Sequence, residues 1–229
     1  MGTMVRSGGT VRSYVGLGSN LGDAEGTLAA AVHALAVLPG VRLRGVSRLY
    51  ATAPVGTADQ PEFRNAIVAL DVPAGPDPTS SAARLLATLK GIERAFGRQE
   101  RRRWGPRELD LDLLVFGRHA IRIERPPEAR SADPAKAALP LVVPHPEAQR
   151  RLFVLAPLAD LAPRLVPPGW GETVATAAAR QRSAEGSDAA RAIASWIDGS
   201  WSSREAAPVE AVPGARRRVR PDRADGSES

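Results

Sequence analysis

Hydrophobic and polar positions divide the chain into alternating strand-like and helix-like stretches. Arg12 to Leu17 is a short apolar-rich run, read as a strand that passes into a glycine-rich turn, Gly16 to Gly22. From Ala24 to Leu38 the period becomes helical. Leu28, Val32 and Leu35 form one stripe at i, i+4 and i+7, and Pro39-Gly40 stops it. Val41 to Thr52 carries sheet formers and predicts one strand. After a loop broken by Pro54, Gly56 and Pro61, residues 63–72 alternate: Ala66, Val68, Leu70 and Val72 share one face, Phe63, Asn65, Ile67 and Ala69 the other. A second helix is expected from a cap at Thr79, Ser80 or Ser81, with Leu85, Leu89, Ile92 and Phe96 as its stripe. An arginine-rich loop, 97–108, leads to a strand, Leu109 to Phe116. A polar insertion follows at 122–139, and Pro140 to Pro146 and Phe153 to Leu161 complete the core.

The resulting order, βαββαβ, predicts an α+β sandwich of the split-βαβ kind with its helices on one sheet face. Residues 12–170 read as one domain. Residues 171–201 form an Ala-rich, partly helical extension with room for one or two helices, and 202–229 lack any periodicity and read as a disordered tail.

Composition narrows the function classes. At 229 residues and 43% apolar, the chain can bury a true core. It has no apolar run long enough to cross a membrane, and its first residues lack the apolar stretch of a signal peptide, so a cytoplasmic protein is expected. With no cysteine, disulfides and thiolate metal sites are excluded. The net charge of +6 comes almost wholly from arginine, Lys90 and Lys136 being the only lysines, which favours anionic partners.

The sharpest chemical feature is Arg103-Trp-Gly-Pro-Arg107-Glu-Leu-Asp110-Leu-Asp112. Residues two apart on a strand point the same way, so Asp110 and Asp112 project together, with Leu109, Leu111 and Leu113 on the other side. Two carboxylates so placed require a cationic partner. Either they hold an oxygen-preferring divalent ion such as magnesium, or they lie on a solvated face beside arginines. Arg98, Arg101, Arg102, Arg103 and Arg107 crowd the loop just before them. Guanidinium groups and a carboxylate-held metal are what phosphoryl transfer uses, though a solvated basic loop is the plain alternative. The spacing Gly16-x-Gly18-x-x-x-Gly22 does not fit a dinucleotide fingerprint and reads as a structural tight turn. His33 and His119 read as structural or solvated. His145, between Pro144 and Pro146, could face a phosphate or cap a turn. Phe63 and Phe153 could clamp a flat heterocycle or simply fill the core.

Taken together, these blocks resemble the 6-hydroxymethyl-7,8-dihydropterin pyrophosphokinases of folate biosynthesis. The resemblance runs from about Ser13 to Gly169. It is carried by Tyr14-Val-Gly-Leu-Gly-Ser-Asn-Leu-Gly22, Tyr50-Ala-Thr-Ala-Pro-Val-Gly56, Asp59-Gln-Pro-Glu-Phe-Arg-Asn65, Ile92-Glu93 to Gly97-Arg98, the Arg103–Asp112 block, Pro144-His-Pro146 and Phe153-Val-Leu-Ala-Pro-Leu158. It implies a ferredoxin-like fold with extra C-terminal strands or helix, and transfer of pyrophosphate from ATP to the pterin hydroxymethyl group. It further implies that Asp110 and Asp112 hold two magnesium ions, that Arg98 and Arg107 handle the phosphates, and that Trp104 belongs to a mobile lid. Glu93, Leu113, His145 and Arg151 match ATP-side positions. Phe63 and Phe153 match the rings that sandwich the pterin, Asn65 the amide that reads its edge, and Thr52, Ala53 and Val55 its surroundings. Lys90 departs from the usual glutamine. The partners expected are ATP and the pterin, with neither nucleic acid nor membrane, and the chain is expected to be a monomer. A ferredoxin-like RNA-binding module and an inactive scaffold acting through the Arg216-Arg-Arg218 tail are the rival readings.

Overall fold

The computed structural model describes residues 9–54, 60–97, 107–130 and 139–203. The elements are β1 (Thr10–Ser19), α1 (Ala24–Ala36), β2 (Arg42–Val46), β3 (Leu49–Thr52), β4 (Phe63–Pro73), α2 (Pro78–Ala95) and β5 (Asp110–Phe116). They continue with β6 (Ile121–Ile123), β7 (Leu141–Val143), α3 (Leu152–Leu161), α4 (Val174–Glu185), β8 (Arg191–Ile197) and β9 (Ser200–Ser202). The main sheet runs β5-β1-β4-β3-β8-β9, with β2 also paired to β4, and β6 and β7 make a separate ribbon. β4 meets β1, β2 and β3 antiparallel, and β1 meets β5 antiparallel.

The alternation read along 63–72 holds. Ala66, Val68, Leu70 and Val72 pack with Val15, Leu17, Leu111 and Leu113 under Leu28, Val32 and Leu35 of α1 and Leu85, Leu86 and Leu89 of α2. Ile67 and Ala69 lie on the opposite face with Tyr14, Leu114 and Leu158 of α3. The expectation of helices on one face is therefore corrected: α3 and α4 cover the second face, joined to each other through Leu155, Ala177 and Ala178. The sequence stretch 173–197 yields one helix, and its remainder enters the main sheet as β8 against β3.

Three local readings also change. The expected strand 41–52 is broken at Ser47-Arg48. There the Ser47 hydroxyl accepts the Ile67 N–H at 2.9 Å and takes the place of a ladder bond. α2 is capped by Asp77, whose carboxylate accepts the Ser80 N–H at 2.8 Å. Pro78 favours this, because it holds the preceding residue in extended backbone. β1 continues to Ser19, so Gly16 and Gly18 are strand residues, and only Gly22, at φ 56°, makes the turn before α1.

Candidate active site

Why β1 tolerates two glycines is visible from its register. Gly18 stands between Asn65 of β4 and Asp110 of β5, and Gly16 between Ile67 and Asp112. These two cross-strand rows lie on the face that α3 covers only in part. A Cβ on Gly18 would come within 3.3 Å of the Asn65 Oδ1, and one on Gly16 within 3.3 Å of the Leu114 side chain. The missing side chains leave a cleft over the central strand, walled by Asn65, Ile67, Asp110, Asp112, Leu114 and Phe153. Glycine weakens a strand on its own account, and here the flanking strands hold it in place on both sides.

Each carboxylate has a cationic neighbour. The Arg107 guanidinium pairs with Asp110. Asp112 is the more open of the two, 37% exposed against 16%, and its Oδ1 lies 3.9 Å from the Lys90 ammonium. Lys90 and Glu93 of α2 are buried together. The Glu93 carboxylate accepts both the Lys90 ammonium and the Leu111 N–H at 2.6 Å, and Lys90 donates to the Leu111 carbonyl at 2.8 Å. This buried pair therefore grips the residue between the two aspartates and fixes the direction in which both project. Glu93, matched in sequence to an ATP-side position, faces inward onto the strand.

The other wall is built around Asn65. Its Nδ2 donates to the Thr52 hydroxyl at 2.8 Å, which leaves the amide oxygen and a second N–H for a ligand. Phe63 shares the strand face of Asn65 and is half-buried, as is Phe153. The Arg151 guanidinium lies 5.7 Å from the centre of the Phe153 ring and 3.7 Å from Glu147. His145 follows a cis Val143–Pro144 bond, its Nδ1 accepts the Glu147 N–H at 3.3 Å, and its backbone N–H donates to the Leu114 carbonyl at 2.9 Å. Leu113 is buried in the core, so only its backbone can meet a ligand. Ala53 follows Thr52, and the described stretch ends one residue later at Pro54. Arg98, Trp104 and Val55 lie outside the described residues, as do Arg101, Arg102 and Arg103.

Two residues were missed by the sequence reading. Asn20, buried at the end of β1, links the two walls: its Oδ1 accepts the Arg107 N–H at 2.8 Å, and its Nδ2 donates to Gln60 and the Pro61 carbonyl at 3.3 Å. Its place in the Gly-Ser-Asn segment was the available signal. Arg125, in the segment taken as a polar insertion, turns inward. Burial lowers its basicity, while Asp112 and then Glu93 act to raise it. Its buried Nε finds no hydrogen-bond partner among the described residues.

The donor set suits a hard cation. Two carboxylates share one cleft, and among the described residues no group of three or more His, Cys, Asp or Glu side chains gathers. That fits an ion which keeps waters and takes substrate phosphates, rather than one held in a cage of protein ligands. Part of the face that a single RNA strand would need is taken by α3 and α4, which weighs against the RNA-binding reading. No helix among the described residues is long and apolar enough to cross a membrane.

Fold and cleft together define a mixed α/β protein whose carboxylate site suits phosphoryl-group transfer. Residues 14–163 match the family model for 7,8-dihydro-6-hydroxymethylpterin-pyrophosphokinase. A 2-amino-4-hydroxy-6-hydroxymethyldihydropteridine pyrophosphokinase from Methylorubrum extorquens is 42% identical over 169 residues, 74% of this chain and 92% of that protein. The Pseudomonas aeruginosa protein of the same name is 44% identical over 154 residues, 67% of this chain and 82% of its own length. Among solved structures, Plasmodium falciparum HPPK-DHPS wild type with pteroate superposes with a TM-score of 0.61 at 15% identity, over 87% of this chain. This chain spans 48% of that one, so the likeness concerns fold alone. The chain belongs to the 7,8-dihydro-6-hydroxymethylpterin-pyrophosphokinase family.

Proposed function

We propose that the cleft transfers the β,γ-pyrophosphate of ATP to the hydroxymethyl oxygen of 6-hydroxymethyl-7,8-dihydropterin, releasing AMP. One observation carries this reading: Asp110 and Asp112 stand across Gly18 and Gly16 of β1 from Asn65 and Ile67, in the same cleft. A carboxylate pair fit for a divalent ion and an amide fit for an aminopyrimidinone edge thus face one space. The strand order β5-β1-β4 with β2 and β3 beyond supports a ferredoxin-like βαββαβ core.

In this reading the pterin lies against Phe153, with Phe63 as the second ring and Thr52, Ala53 and Val55 around its edge. The triphosphate meets Arg107, Arg98, Arg125, Arg151 and His145, with Trp104 in the covering loop and the Leu113 backbone near the nucleotide. Magnesium, two ions in this reading, held by Asp110 and Asp112, would neutralise charge on the transferring group. The protein's own residues position the reactants. Arg107 exchanges Asp110 for phosphate oxygens when the nucleotide arrives. The Lys90–Glu93 pair keeps β5 in register while that exchange happens. Asn65, oriented by Thr52, fixes the pterin so that its hydroxyl oxygen meets the β-phosphorus in line, the new O–P bond forming as AMP leaves. The chain does this as a monomer.

The direct test mixes the protein with ATP, magnesium and the reduced hydroxymethyl-pterin and separates the nucleotides. AMP should accumulate in step with the pterin diphosphate. ADP as the product, or no pterin-dependent turnover, would remove the reading.

A further inference from the structure

Residues 174–202 lie beyond the 14–163 matched by the family model, and nothing above gives them a task. Their contacts converge on one side of the cleft. α3 has no side-chain cap of its own at its first turn. Instead Glu185, the last residue of α4, accepts the Leu152 N–H at 3.2 Å, one residue before Phe153. Gln181 donates to the same carboxylate at 2.7 Å and holds it in place. Further on, β8 pairs with β3 at Leu49, Tyr50 and Ala51, directly before Thr52, the hydroxyl that orients Asn65. Arg191, opposite Ala51, reaches Glu62 at 2.9 Å, one residue before Phe63. In β9 the buried Trp201 donates its indole N–H to the Ser47 carbonyl at 3.1 Å, and the Ser47 hydroxyl in turn holds β4 at Ile67.

We propose that the α4–β8–β9 segment is a positioning brace for the pterin side of the cleft, fixing the starts of α3 and β4 and with them Phe153, Phe63 and Asn65. The inference rests on the pterin reading given above. None of these contacts reaches α2 or β5, the elements that hold the aspartates; the Leu152 tie borders Arg151 as well as Phe153, whereas the ties through Ala51 and Glu62 bear on the pterin wall alone. Its ties are individually weak. Arg191 and Glu62 are about half exposed, and such a pair adds little to global stability. Their effect is geometric: a flat ring between two side chains is sensitive to small displacements of either one. A helix start whose orphan N–H is satisfied by another helix is likewise tied to that helix's position.

The test uses the full chain with Glu185→Ala, Arg191→Ala and the double substitution. Pterin affinity is read by fluorescence titration in the presence of magnesium and a non-hydrolysable ATP analogue. KM for both substrates and the melting temperature are measured alongside. Each single change should weaken pterin binding about threefold and the double change about tenfold, with the ATP KM held within about twofold. Glu185→Gln keeps a carbonyl acceptor for the Leu152 N–H and should restore pterin binding. Unchanged pterin affinity in the double variant overturns the brace. Equal losses for ATP and pterin, or a loss that follows the melting temperature and is not reversed by Glu185→Gln, overturn it too. If the unaltered chain neither binds the pterin nor forms AMP, the functional reading fails together with the brace. That outcome is seen before any variant is compared, so it is distinct from failure of the brace alone.

Discussion

The two faces of the central sheet are built from the same strands and do different work. On one, Val15, Leu17, Ala66, Val68, Leu111 and Leu113 form a continuous apolar floor beneath α1 and α2. On the other, each one residue removed, stand Gly16, Gly18, Asn65, Ile67, Asp110 and Asp112. Because a strand turns successive side chains to opposite faces, Leu111 between two aspartates belongs to the core while its neighbours belong to the cleft. Stability and chemistry are thus separated by parity, not by distance along the chain, and substitutions at adjacent positions should fail in different ways.

The largest contrast is expected on β5. Asp110→Ala or Asp112→Ala should reduce turnover by about a thousandfold or more, since in the proposed reading each removes a ligand of the cation that would neutralise charge on the transferring group. The melting temperature should change little, because neither side chain contributes to the apolar core. Leu111→Ala should instead cost about 2–5 kcal/mol of stability, with the surviving folded fraction still turning over. Thermal unfolding and AMP release, measured on all three, decide it. A melted Asp112→Ala or an unaffected Leu111→Ala would break the comparison.

Next comes the central strand. Gly18→Val places a side chain where the Cβ alone meets the Asn65 amide oxygen at 3.3 Å. Pterin affinity should fall about a hundredfold, while the melting temperature holds or rises because valine suits a strand better than glycine. Titration of the pterin against calorimetric unfolding separates the two. Loss of stability with retained affinity would mean that Gly18 serves packing and not the cleft.

Much of this division could be read from the chain. The Leu-Asp-Leu-Asp alternation gave the parity of β5, and residues 63–72 gave that of β4, because period two needs no tertiary information. The glycines were misplaced for a physical reason. Glycine ends strands more readily than it extends them, and only pairing with β4 and β5 on both sides overrides that preference. β8 escaped notice because Arg191-Ala-Ile-Ala-Ser-Trp-Ile follows an Ala-rich helix, and it becomes a strand by meeting the free edge of β3. The burial of Lys90 and Glu93 was equally hidden. Glu93 matches an ATP-side position and Lys90 departs from the usual glutamine, and their inward turn shows only once the strand they grip is seen.

On the pterin wall a smaller effect is expected. Phe153→Ala should raise the pterin KM about tenfold and the ATP KM much less, the loss expected when one ring of a stacking pair is removed. Initial-rate kinetics with each substrate varied in turn provide the check, and a larger change for ATP would undo the stacking assignment.

The smallest effect in turnover tests Arg125, an inward-turned cation in the segment read as a polar insertion. Arg125 has lost hydration, feels Asp112 and Glu93, and leaves its Nε without a partner among the described residues. A buried unsatisfied donor costs stability, so such a group persists where a ligand completes it. Arg125→Met keeps the length of the stem and removes the charge. The ATP KM should rise only about threefold to fivefold, since in the proposed reading Arg107 and other arginines share the triphosphate, and the pterin KM should hold. Stability should stay level or rise by about 1 kcal/mol, because a desolvated, incompletely bonded guanidinium is replaced by an apolar side chain of similar shape. An unchanged ATP KM with lowered stability would assign Arg125 to the scaffold and not to the cleft.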